Sequence, residues 1–395
     1  MIERLYVKFQ AELGAGSAHA GKLLRHFGNI SAVFAAPPST IRAIIKSPKA
    51  DKLLNGDFSR ADEIIKRCRE NDIKIICFEQ KEYPERLRNI PDPPALLYCK
   101  GDFPEIDDHI AVAVVGPRKP DDYGIKAAFS LSARLARGGA IVVSGGAMGI
   151  DAEAHGGALW AGGQTIAVLG CGILFPYLKS NEELRRRIAN QGAVVSEYPP
   201  DAGAFSANFP MRNRIMAGLS LGTVVVQAAA RSGALITARH ASEQGRDVFV
   251  VPGRSGEKLF AGSNLLLKDG AKPVLNVMDI LEEYAERYPH RLLLDRIYSN
   301  EEPPIMKGFL EFNAEKAQIE KKDSPDSAFK ALKTELDCSQ EAKRVYEAIA
   351  SGADSLDLLA EITGLDTPGV IVSLTELEIG GYIMAAPGGR YKIKD

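Results

Sequence analysis

"IAVAVVG" (110–116), "AIVVSGG" (140–146), "TIAVLGCG" (165–172), "GAVVSEY" (192–198), "GTVVVQA" (222–228) and "DVFVVPG" (247–253) set the rhythm of the middle of this 395-residue chain. Each is a short apolar run rich in β-branched residues, and most of them meet a glycine. Strands that are apolar without alternation are buried on both faces. The stretches between them are long enough for crossover helices, so the pattern predicts an α/β domain with a doubly wound parallel sheet. "PPALLYCKG" (93–101) is expected to add a leading edge strand and "KPVLNV" (272–277) a trailing one.

The rhythm is absent on either side. Residues 1–80 read as a helical domain, in which "LGAGSAHAGKLLRHFGNISAVFAA" (13–36) makes two short helices around glycine turns. Residues 81–286 hold the sheet. From 287 to 337 the chain is charged, Pro-bearing and aperiodic, as in a flexible linker. Residues 338–395 resume with three short amphipathic helices and "YIMAAPGGRYKIKD", a hairpin with a Gly-Gly turn, which is the layout of a winged helix.

Composition narrows the function classes. Hydrophobic residues make 45% of the chain and charged ones 25%, as in soluble globular proteins. No apolar run reaches the roughly 18 residues of a spanning helix, and the start shows no signal peptide, so a cytoplasmic protein is expected. Cysteines 68, 77, 99, 171 and 338 are scattered without a CxxC pair, which points to reduced thiols and away from structural zinc. A net charge of −2 disfavours wholesale polyanion binding but leaves room for a local basic groove.

Such a groove has candidates. In "NFPMRNRIMAGLS" (208–220), Pro210 is ordinary at a first helical turn, whereas Arg212 and Arg214 are not. A helix N-terminus carries partial positive charge, so cations there call for an anion. "VVGPRKP" places Gly116, Arg118 and Lys119 just after a predicted strand. "SGGAMGID" places Ser144, Gly145 and Gly146 after another, where backbone N–H groups can approach a phosphate. "ARSGALITARH" adds Arg231, Ser232, Gly233, Thr237 and Arg239 after a third. Taken singly, such a glycine is equally a tight turn and such an arginine a solvated loop charge. Ligands of open parallel sheets bind at the C-terminal strand ends. Four loops with donors or cations converging there suit several phosphates in a row, which is a nucleic-acid strand. Asp151 and His155, four apart on one helix face, could form an acid–base pair; the commoner arrangement is an aspartate near a helix start touching a histidine one turn on.

"SGGAMGIDAEAHGGAL", "VVSEYPP", "FSANFPMRNRIMAGLS", "ARSGALITARHASEQGRDVFVVPG" and "AGSNLLLKDGA" occur in an order that resembles the DNA-processing protein A (DprA/Smf) family over roughly residues 80–285. The resemblance implies an extended Rossmann-like domain, flanked by a sterile-alpha-motif-like (SAM-like) helical domain and a winged-helix domain. It implies a homodimer that binds single-stranded DNA in natural transformation (competence), protects the incoming strand and helps load the RecA recombinase. It also implies no catalysis and no cofactor or metal. By the family motif, Arg118, Arg212 and Arg214 would contact phosphates, with Gly116, Lys119 and Asn213 beside them. Ser144–Gly146, Ser232, Gly233 and Thr237 would supply loop donors. Pro117 stands where a small hydroxyl residue is usual, and Gln227 where a glutamate is common.

A competing class is a nucleotide phosphoribohydrolase of the lysine-decarboxylase-like type, which shares the sheet and an "SGG" loop. Those enzymes need "PGGxGTxxE"; the corresponding "RSGALITARH" lacks the glutamate, and a positioned carboxylate is what the chemistry requires. A dinucleotide enzyme fails on the missing GxGxxG fingerprint. The tail speaks against its own obvious reading. Ser339–Asp395 holds five Lys and Arg residues against nine Asp and Glu, and its third helix, "TPGVIVSLTELEIGG", has no cation. Phosphate contacts dominate nonspecific affinity, so this module is expected to touch protein. Fragment 337–395 should leave duplex and single-stranded oligonucleotides unshifted in a low-salt gel; a shift abolished by changing Arg390, Lys392 and Lys394 would count against that expectation.

Overall fold

All six apolar runs form strands of one sheet in the computed structural model, which describes residues 2–297, 339–350, 356–380, 382–386 and 390–393. In chain order the strands are β1 (Lys74–Cys77), β2 (Leu96–Gly101), β3 (Ala111–Val115), β4 (Ile141–Ser144), β5 (Thr165–Leu169), β6 (Ala193–Ser196), β7 (Gly222–Val225), β8 (Asp247–Val250) and β9 (Lys272–Pro273). Across the sheet the order is β1-β2-β6-β5-β4-β3-β7-β8-β9. Pairings from β6 through β9 are parallel. After β3 the chain winds outward through β4, β5 and β6, then returns to lay β7 on the other side of β3. The switch point of this doubly wound sheet therefore lies between β3 and β7.

Every residue of β3, β4 and β5 is buried, as unbroken apolar runs require. Val112, Val114, Val142 and Val224 face one layer, packing on Leu131 and Leu135 of helix Asp122–Arg137 and on Ala154 and Ala158 of helix Ile150–Trp160. Val115, Val143, Ile166, Val168 and Val225 face the other. That layer is built from Ile215, Met216 and Leu219 of helix Asn208–Leu219 and from Ala234 and Ala238 of helix Gly233–Glu243. Gly157 lets the first two helices nest: a Cβ there would lie 2.2 Å from the Phe129 carbonyl oxygen.

Three details depart from the sequence reading. Residues 74–77, within the span read as helical, form β1, so "PPALLYCKG" becomes the second strand and not the edge. Both β1–β2 and β2–β6 pair antiparallel. The connection from Cys77 to Leu96 carries only the one-turn helix Glu85–Arg88, and without a crossover helix the chain can only double back. Residues 287–297, read as the start of a linker, are tied to the sheet. Leu293 N donates to the Gly138 carbonyl, and Ile297 is buried in the core of the first layer. The remainder of the expected linker, 298–337, lies outside the described residues.

The chain divides into two compact units, Met1–Gln318 and Ile319–Asp395. In the first, six helices between Ile2 and Glu70 precede the sheet. Their core (Tyr6, Val7, Phe9, Leu23, Ile41) continues into Ile73, Cys77, Leu96 and Tyr98 of the β1–β2 ribbon and its approach. In the second, helices Gln340–Ala350, Leu356–Thr363 and Thr367–Ile379 are followed by the antiparallel strands β10 (Ile383–Ala386) and β11 (Arg390–Ile393), the expected helix-helix-helix-hairpin order. Asp366 caps the third helix through Gly369 N at 3.0 Å. Glu376 accepts from both the backbone N and the Oγ of Ser339 at 2.6 Å, and those bonds hold its carboxyl below the ordinary range. The same helix leaves Ile371 and Val372 exposed, the latter at 66%.

Candidate nucleic-acid interface

At the switch point, beyond the C-terminal ends of β3 and β7, a cleft of about 410 Å³ opens. Its lining brings together Gly116, Arg118, Arg212, Asn213, Ser232, Gly233 and Thr237 of the residues expected from sequence. Lys119 follows on the same loop and is exposed. Ser144, Gly145, Gly146 and Arg214 are not in the lining, and each has a structural partner.

Helix Asn208–Leu219 arranges the floor. Arg212 is only 5% exposed; its Nη1 donates to the Gly145 carbonyl at 2.7 Å and to the Val168 carbonyl. Its Nε donates to Asn213 Oδ1 at 3.2 Å, and Asn213 Nδ2 reaches the Gly233 carbonyl at 3.4 Å. One side chain and its neighbour thus tie the loops after β4 and β7 to the end of β5. Burial pulls the Arg212 guanidinium below its ordinary value, and the charge of Asp151 opposes that. Conversely, burial raises the Asp151 carboxyl while Arg212 and a hydrogen bond from Ala147 N at 3.4 Å pull it back. Gly145 exists for this pair: a Cβ would sit 2.3 Å from Arg212 Nη1 and 2.5 Å from Asp151 Oδ2.

Arg214, two residues on, faces away from the cleft. Its Nη2 meets Glu197 Oε1 at 2.8 Å, with both side chains about 5% exposed. Burial works against the charge of Arg214, but Glu197 outweighs it and holds the guanidinium above its ordinary value. Ser144 is buried and donates to the Val114 carbonyl at 2.7 Å, and the Gly146 carbonyl accepts from Asn181.

Arg118 is the exposed cation of the cleft lining. It makes no ion pair among the described residues, and lies over the Phe209 ring at 5.1 Å, a cation–π contact. Its loop is braced from below: Ile150 N donates to the Pro117 carbonyl at 3.2 Å, and Gly149, at φ +75°, leaves room for that carbonyl. Ser232 caps helix Gly233–Glu243 by accepting from Ala234 N, so a helix N-terminus opens on the cleft, and nothing lies within 4 Å of a Cβ at Gly233. Gln227 donates to Asp121 Oδ1 at 2.6 Å and so steadies the cap of helix Asp122–Arg137. An aromatic before proline looks like core, so only its place inside "ANFPMRNR" sets Phe209 apart in the sequence.

With this geometry in view, comparison with known proteins decides the family. The family model described as DNA recombination-mediator protein A matches residues 74–285, and that of the DprA winged helix domain matches 328–389. The chain belongs to the DprA/Smf family. It is 39% identical to the DNA processing protein DprA of Bacillus subtilis over 230 residues, 58% of this chain and 77% of that one. With Protein Smf of Escherichia coli it shares 33% over 321 residues, covering 81% and 77%. The X-ray structure of DprA from Streptococcus pneumoniae superposes with a TM-score of 0.62 at 33% identity, over 70% of this chain and 97% of that one.

Within this DprA/Smf chain the Asp151–His155 spacing does not make a pair. His155 is fully buried, its Nδ1 lies 2.7 Å from Thr165 Oγ1, and Thr165 Oγ1 donates onward to the Val142 carbonyl. Burial, with the nearby charge of Arg212, pushes His155 from 6.5 down to about 3. The four described cysteines are buried, and burial raises each thiol, to about 12 for Cys68, Cys77 and Cys99. Among the described residues no helix is long and apolar enough to cross a membrane.

A histidine whose folded value lies below its unfolded one contributes stability that is present above pH 6.5 and lost as pH falls toward 3. Urea unfolding between roughly pH 6 and pH 4 should therefore carry a slope of about 1.4 kcal/mol per pH unit from His155, absent in His155→Asn. Equal slopes in the two proteins would show that His155 is not the group titrating.

Proposed function

We propose that this chain binds single-stranded DNA at the switch-point cleft and serves recombination as a mediator without catalysis. The observation that carries the reading is Arg118 stacked on Phe209: an unpaired guanidinium beside an aromatic face, at the mouth of a cleft with a helix N-terminus on its rim. A strand's phosphates suit the first and the third, and its unpaired bases suit the second. In this reading Arg118 and Lys119 meet phosphates, while Gly116, Asn213, Ser232, Gly233 and Thr237 shape the contact. Arg212 sets the floor together with Ser144, Gly145 and Gly146, and Arg214 holds the fold that carries it. The hydrolase alternative finds no support. Asp151 is the one carboxylate in the cleft lining and is engaged with Arg212, while Glu243 lies beside His240 and Arg239.

The same reading assigns the protein to the bacterial cytoplasm, to protection of strands taken up in natural transformation, and to loading of RecA. It also makes the functional unit a homodimer formed through the sheet domain. Leu265, on the helix Ala261–Lys268 that precedes the two-residue edge strand β9, and Leu275, just after that strand, are 53% and 81% exposed and offer the apolar surface that such a dimer needs.

Gel shifts with a dT oligonucleotide over a salt series test the cleft. Arg118→Ala should weaken binding about ten-fold and flatten the salt slope by roughly 0.7, one counterion contact on a single strand. Arg214→Ala should leave the slope of the folded fraction unchanged and cost about 3–5 kcal/mol of stability, because Glu197 is left buried and alone. An unaltered slope in Arg118→Ala would remove the cleft as the binding site. For assembly, sedimentation at roughly ten micromolar, ample for an interface of standard size, should give a dimer for the natural chain and a monomer for Leu275→Asp. A monomeric natural chain would refute the dimer.

A further inference from the structure

The opposite end of the sheet gathers a second set of guanidinium groups that the cleft does not use. Arg246 immediately precedes β8, His109 stands just before β3, and Leu219 ends the helix that leads into β7, so this end is the N-terminal one. Arg86 is buried here. Its Nε meets Asp107 Oδ1 at 3.0 Å, and its Nη2 donates to the His109 carbonyl at 3.1 Å and lies 3.4 Å from the Tyr288 hydroxyl. Arg246 Nη2 donates to the Arg86 carbonyl at 3.0 Å, and this is the sole acceptor it meets among the described residues; its Nε is buried without a partner. Arg287 is exposed over the Tyr288 ring at 5.4 Å and makes neither an ion pair nor a hydrogen bond among the described residues.

Two of these cations therefore meet one tyrosine, the third bonds the backbone of Arg86, and Asp107 is the carboxylate paired within the group. Asp107 is already committed: it accepts from the backbone N of Glu85 and from the backbone N and Nε of Arg86. The neighbouring carboxylates are engaged elsewhere, Asp247 with Lys272 and Tyr284, Glu85 with Arg88, and Glu243 with Arg239 and His240. Burial lowers Arg246, and Arg86 and Arg287 lower it further. Like charges held together with one spent counter-ion are stabilised by an added anion, and guanidinium forks match the oxygens of a phosphoryl group.

We propose that Arg246 and Arg287, backed by Arg86 and Tyr288, form a second oxyanion site that takes a phosphoryl group, from a nucleic-acid backbone or from a free polyphosphate. The site stands apart from the switch-point cleft, so each can fail without the other.

Thermal unfolding of the full chain in sodium pyrophosphate tests the site, with Arg118→Ala as the cleft control. At roughly ten times the dissociation constant, pyrophosphate should raise Tm by about 2–4 °C in the natural chain and in Arg118→Ala. In the Arg118→Ala background, Arg287→Gln, a surface change that leaves the fold alone, should reduce the rise, and Arg246→Gln with Arg287→Gln should abolish it. Oligonucleotide binding then names the source. If the site takes DNA backbone, the double variant also loses affinity for a dT oligonucleotide and flattens its salt slope. If it takes free polyphosphate, DNA binding is unchanged and only the pyrophosphate rise is lost. A rise that survives when the double variant is combined with Arg118→Ala, disappears with Arg118→Ala alone, or is missing from the natural chain overturns the proposal.

Discussion

Arg212 is the constraint on which the site depends. A buried guanidinium is costly unless its donors are met, and here two carbonyls, Asn213 and the charge of Asp151 meet them. Because those partners sit on β5, on the loop after β4 and on the helix that starts at Ile150, satisfying one side chain fixes three pieces of backbone. Asn213 extends the tie to the loop after β7. The cleft is thereby preformed, with its shape set by hydrogen bonds made before any ligand arrives.

That arrangement separates two jobs that look alike on paper. Arg212 and Arg214 spend their charge inside the protein, one on carbonyls and one on Glu197, whereas Arg118 keeps its charge for solvent and rests on an aromatic ring. A screened surface cation can exchange water for phosphate at little desolvation cost, while a buried one cannot turn outward without breaking its own bonds.

Much of this was legible in the sequence and some was not, for identifiable reasons. β3 to β8 announce themselves because burial on both faces demands unbroken apolar runs. The convergence of Gly116, Arg118, Asn213 and Ser232 on one rim follows from the rule that ligands sit at C-terminal strand ends. Lys74–Cys77 was read as helical surroundings, since four residues carry no periodicity and the segment becomes a strand only by pairing with Leu96–Cys99. The depth of Arg212 and Arg214 was equally hidden. Whether an arginine in a first helical turn points to solvent or to the sheet depends on how that helix lies across β5, which local pattern does not encode. The Asp151–His155 spacing misled for the same reason: Thr165, on a strand, competes for the imidazole and wins.

The antiparallel β1–β2 ribbon gives the first unit a dependence between its parts. β1 shields the ladder of β2, and the six N-terminal helices cover Leu96 and Tyr98 from one side. A chain trimmed to begin after Cys77 would keep every strand of the switch point yet present β2 as a bare edge, with a row of unpaired N–H and C=O groups and two large apolar side chains uncovered. Such an edge is a template for intermolecular strand pairing. β1 and the helical segment thus act together as a guard on solubility, and a cut after Cys77 removes it.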